Sequence, residues 1–72
     1  MSGLNHDGNR RMQAVFDKAL ELSRSDQAFF FAGFYGHITS RVLLGSAIDD
    51  TFISGTEAWL ADVMEMIEKR PK

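Results

Sequence analysis

Seventy-two residues hold one domain and leave little room for a deep pocket beside a core. A chain this short buries only roughly 60% of its unfolded surface, and it has no cysteine, which excludes a disulfide staple, thiolate metal sites and cysteine catalysis. With 8 basic and 10 acidic residues and a net charge of -2, it offers no strong attraction to nucleic acid or an anionic membrane.

Hydrophobic residues make up 44% of the chain, with six Phe among them, so the composition is that of a folded protein. Pro71 is the only proline, and nothing interrupts a helix between Asn9 and Arg70. The polar stretch Met1 to Asn9 has no apolar core of a signal peptide, and Ser2 breaks the myristoylation pattern. Ala28 to Ile38 is the most apolar stretch and is too short to span a bilayer. The expectation is a cytoplasmic-type protein with no membrane contact.

Residues 1-9, rich in Gly and Asn, read as a flexible arm ahead of a single helical domain over 10-70. From Arg10 to Ser23 the apolar residues Met12, Val15, Phe16, Ala19, Leu20 and Leu22 fall on one helical face, with Asn9 as its N-cap. Ser23 to Asp26 then offers two starts for a second helix: Ser25 as cap, or Ser23 and Asp26 as a capping box. Either leaves a short connection, which sets the first two helices antiparallel.

The second helix is expected from Asp26 to about Gly45. Phe30, Phe31, Phe34, Ile38 and Val42 form one apolar arc, and Phe29, Gly33, Gly36, Ser40 and Leu43 lie opposite. The interior glycines Gly33 and Gly36 cost roughly 1 kcal/mol each against Ala, a cost that makes sense where another backbone comes close. Gly45 to Ile53 reads as a loop carrying Asp49 and Asp50. Ser54-Gly55-Thr56-Glu57 matches a capping box and predicts a third helix over Glu57 to Arg70. Its buried face is expected to hold Trp59, Leu60, Val63, Met64, Met66 and Ile67. A rival reading folds Ile38 to Ile53 into a hairpin turning at Gly45-Ser46 and ends the second helix near Gly36.

Few residues point to chemistry. His37 has no carboxylate at i±3 or i±4 to orient its ring. His6-Asp7 is too small a set to close a metal site. The pair Asp49-Asp50 lacks calcium-loop spacing, and no P-loop, dinucleotide fingerprint or nucleophile elbow occurs. No catalytic residue, cofactor or metal is therefore expected.

Phe29-Phe30-Phe31 is the most informative stretch. Consecutive helical residues point about 100° apart, so three Phe cannot all enter one core. A helix apolar nearly all round is normally central, and two neighbours leave part of it bare. The reading is an all-α fold: three helices, the apolar second one central, paired as a homodimer through Phe29, Gly33, Gly36, Ser40 and Leu43. The rival cover for that face is the arm, or the Gly45 to Ile53 loop with Phe52 and Ile53. The expected function is a non-enzymatic protein-protein interaction module, a regulator or inhibitor that binds another protein. Two alternatives stand beside it. One is a dimeric nucleic-acid-binding regulator using Arg10, Arg11, Lys69, Arg70 and Lys72. The other is a ligand-binding or enzymatic dimer with His37 and Asp49 or Asp50 at the interface.

Overall fold

A computed structural model describes residues 6–45 and 48–71. The fold is all-α, with three helices in chain order: α1 (His6–Leu20), α2 (Arg24–Leu43) and α3 (Asp50–Lys69). No described residue is in a strand. The hairpin reading therefore fails, because Ile38 to Leu43 completes α2. No helix among the described residues is long and apolar enough to cross a membrane.

Helix α1 begins at His6, a turn earlier than the sequence suggests, so Asn9 lies inside the helix and does not cap it. The rest of the expected arm, residues 1–5, lies outside the described residues. Met12, Val15 and Ala19 are buried at the 3- and 4-residue spacing of a single helical face, while Leu20 points largely to solvent. The helix ends in tightened bonds from Glu21 N to Lys18 O and from Leu22 N to Ala19 O, each 3.1 Å. The Gln27 side-chain amide donates to the Leu20 and Leu22 carbonyls at 3.2 and 2.7 Å, which satisfies acceptors that a helix end leaves open.

Ser23 caps α2. Its hydroxyl accepts from Asp26 N at 3.3 Å and donates to the Asp26 carboxylate at 2.9 Å, so the cap is Ser23 and not Ser25. At the other end Leu44 N and Gly45 N donate to Ser40 O and Val42 O. Gly45 takes φ 71°, the left-handed turn residue that closes many helices.

Helix α3 starts at Asp50, with Asp49 as N-cap accepting from Phe52 N at 3.1 Å. The start expected at Ser54-Gly55-Thr56-Glu57 is wrong by more than a turn, and Phe52 and Ile53 are helical core residues. Thr56, fully buried, donates its hydroxyl to Phe52 O at 3.0 Å. Val63 is buried further along, and Trp59, Leu60 and Ile67 pack half-buried around it. Met66, expected on the buried face, is half exposed.

The expectation of a central α2 is not met. Helix α3 runs along both α1 and α2, which meet each other over a shorter stretch. On α2 only Phe30 among the apolar residues is fully buried. One core cluster joins Val15, Ala19, Phe30 and Val63, and another joins Met12, Phe52 and Ile53. Phe16 and Phe34 touch both, edge to face with ring centroids 5.3 Å apart.

Two ion-pair sets tie α3 down at its ends. Near its start, Arg11 of α1 pairs with Asp50 and with Glu57, the latter through Nη2 at 2.6 Å and Nε at 3.2 Å, and also donates to Ser54 Oγ at 3.2 Å. Near its end, Arg70 reaches Asp26 at the start of α2 at 2.7 Å. The hydrogen bonds from Arg11 hold the Glu57 carboxyl below its usual range, and those from Arg70, with Ser23 second, do the same for Asp26.

Candidate functional site

The five residues expected to face another chain fall into two groups. Gly33 lies under Trp59 of α3: a Cβ there would stand 2.4 Å from the indole ring. Trp59 Nε1 donates to Phe30 O at 2.9 Å, which fixes the indole across α2. Phe29 packs on the same indole, with centroids 5.4 Å apart. The close approach that Gly33 permits is thus made within the chain, by a residue that sequence reasoning placed only in the core.

Gly36, Ser40 and Leu43 are in the second group. Among the described residues, a Cβ at Gly36 would meet nothing within 4 Å. Leu43 is 80% exposed, Tyr35 70% and Val42 68%, and Phe29 keeps 46% despite its contact with Trp59. At 100° per residue Phe29, Tyr35 and Leu43 share one outward side of α2 with Ala28, Ala32 and Thr39, while Val42, expected in the buried Phe arc, is exposed at its edge. From Gln27 to Ser40 that helix has no Asp, Glu, Lys or Arg. The outer face of α2 is therefore apolar or neutral over about four turns. Of the rival covers, Phe52 and Ile53 are buried against Met12 and α2's Phe34 and Ile38 instead, and residues 1–5 of the arm lie outside the described residues.

Beside this face an apolar groove of about 540 Å³ opens between α1, α2 and the start of α3, lined chiefly by Met12, Phe16, Phe34, Ile38, Ile48 and Phe52. A cleft of about 390 Å³ lies on α3 between Trp59, Asp62, Glu65, Met66 and Lys69.

The residues considered for chemistry hold structural positions. The His37 ring stacks parallel on Phe52, with centroids 4.5 Å apart, and its Nε2 lies 3.3 Å from Phe52 O. Gly55 makes room for it, since a Cβ there would come within 3.1 Å of Nε2. Asp49 caps α3 and Asp50 pairs with Arg11. Asp7 is exposed in the first turn of α1. Among the described residues no three His, Asp or Glu side chains gather as metal ligands. Of the basic residues weighed for nucleic acid, Arg11, Lys69 and Arg70 are in ion pairs, and Lys72 lies outside the described residues. No family model, curated protein or solved structure matches this chain.

Proposed function

We propose that this chain is a small non-enzymatic protein-protein interaction module, a regulator or inhibitor that binds another polypeptide, and that it self-associates as a homodimer in the cytoplasm. One observation carries the reading: the outer face of α2 is exposed, uncharged from Gln27 to Ser40 and set with large apolar side chains at Phe29 and Tyr35, with Val42 and Leu43 just beyond. Exposed apolar patches of this extent mark binding surfaces on soluble proteins. The nucleic-acid alternative is weaker because Arg11, Lys69 and Arg70 are paired with carboxylates. The enzymatic alternative is weaker because His37, Asp49 and Asp50 have partners within the chain.

The test compares wild type with the double variant Tyr35→Glu, Leu43→Glu. Both positions are exposed, so circular dichroism should show the helices unchanged. Wild type should sediment as a dimer, and immobilised wild type should retain a host polypeptide that the variant releases. A monomeric wild type with no difference in retention would overturn the proposal.

A further inference from the structure

We infer that the outer face of α2 is covered by a second copy of this chain laid antiparallel, with the two-fold axis passing beside Gly36. This rests on the reading of the chain as a self-associating module and adds the surface and its register; a host polypeptide binds the same face only by displacing that copy.

The first reason is area. With the exposures given above, Phe29, Tyr35, Leu43 and the exposed small residues Ala28, Ala32, Gly36 and Ser40 between them offer on the order of 500 Å² of accessible surface per chain. Two copies reach the total of about 1,000 Å² that a biological interface should clear. The second is charge. A face with no ionised side chain from Gln27 to Ser40 gives a charged partner no counter-charge, so burying such a partner would cost its desolvation unrepaid. An identical neutral face carries no such cost.

The third is register. Gly36 weakens α2, yet nothing among the described residues needs the missing Cβ, in contrast to Gly33 beneath Trp59. A close backbone from outside gives the glycine a reason. Phe29 and Leu43 stand on the same side of the helix, each two turns, or about 10 Å, from Gly36. A two-fold rotation beside Gly36 sets Phe29 of one protomer against Leu43 of its partner, and the reverse, as an isologous interface requires. The same rotation pairs Ala32 with Ser40, both small and exposed.

The chain has no cysteine, so single-cysteine variants of the full chain report contacts without background. Under mild oxidation Gly36→Cys alone should form a disulfide-linked dimer. A mixture of Phe29→Cys with Leu43→Cys should link several-fold more than either variant alone. Mixing Ala32→Cys with Ser40→Cys repeats the test at exposed positions that leave the fold untouched, and Lys18→Cys on α1 should stay unlinked. Preferential self-linking of Leu43→Cys would mean a parallel pair and overturn the inference. A chain that sediments as a dimer but links at none of these positions would overturn it too, leaving self-association through another surface. A wild type monomeric at every concentration would overturn both.

Discussion

Gly33 and Gly36 look alike in the sequence, three residues apart in one apolar helix, and the structure gives them opposite surroundings. Removing either glycine improves helix propensity by up to about 1 kcal/mol. At Gly33 the added methyl collides with the Trp59 indole, and overpacking costs typically about 1–3 kcal/mol. Gly33→Ala should therefore lower the urea midpoint and Gly36→Ala should raise it, measured in dilute solution where self-association does not contribute. A rise at both positions would mean that the indole moves aside without cost, and a fall at both that Gly36 is also packed. Trp59 is the only tryptophan, so its emission follows the unfolding directly. Sequence periodicity placed Trp59 on a buried face, but not which glycine it covers. That depends on the antiparallel register of α2 and α3, which no local pattern encodes. His37 illustrates the same limit: the lack of a carboxylate neighbour was legible, whereas its stacking on Phe52 arises from residues 15 positions apart.

The helices themselves were largely readable, because apolar spacing and capping chemistry are local. Ser23 caps α2, one of the two starts its sequence offers. The start of α3 was misread because Ser54 to Glu57 mimics a capping box, while the side chains that decide the matter make tertiary contacts: Ser54 and Glu57 both receive hydrogen bonds from Arg11. The available signal was that Phe52, Ile53 and Thr56 continue the spacing of Leu60, Val63 and Ile67. The ion pairs that tie the helices together predict an acid response. Asp26 and Glu57 have carboxyls held below their ordinary range, by Arg70 and Arg11 respectively. A carboxyl with a lowered folded pKa adds stability above its unfolded value, and that stability is lost as pH falls through the folded one. Wild type should therefore lose stability below about pH 4. Arg70→Gln should be less stable than wild type at pH 6, and the gap between their urea midpoints should shrink at pH 3. A gap independent of pH would mean that Arg70 acts through its packing and not through the Asp26 charge.

For the whole molecule, the question is how so small a core suffices. The buried apolar side chains among the described residues are Met12, Val15, Ala19, Phe30, Phe52, Ile53 and Val63, and α2 holds only one of them. Small domains usually add a disulfide, a metal or a partner chain. This chain has no cysteine, and the self-association proposed for α2 is one such support. The sequence indicated surplus apolar surface on α2 through its Phe run, but misplaced the centre of the bundle, because α2 is so apolar that it reads as the most buried helix. If folding and pairing are coupled, stability depends on chain concentration by mass action. Unfolding a pair releases about 2.1 cal/mol/K for every residue of both chains, so each tenfold rise in concentration should raise Tm by roughly 5 °C. Leu43→Glu should flatten that dependence: it places a charge on an exposed position that the core does not touch, and the pair would have to desolvate it. Calorimetry of wild type and Leu43→Glu across a hundredfold concentration range measures the difference. A wild-type Tm that stays constant over that range would show that the chain folds without its partner, and the apolar face of α2 would then have no part in stability.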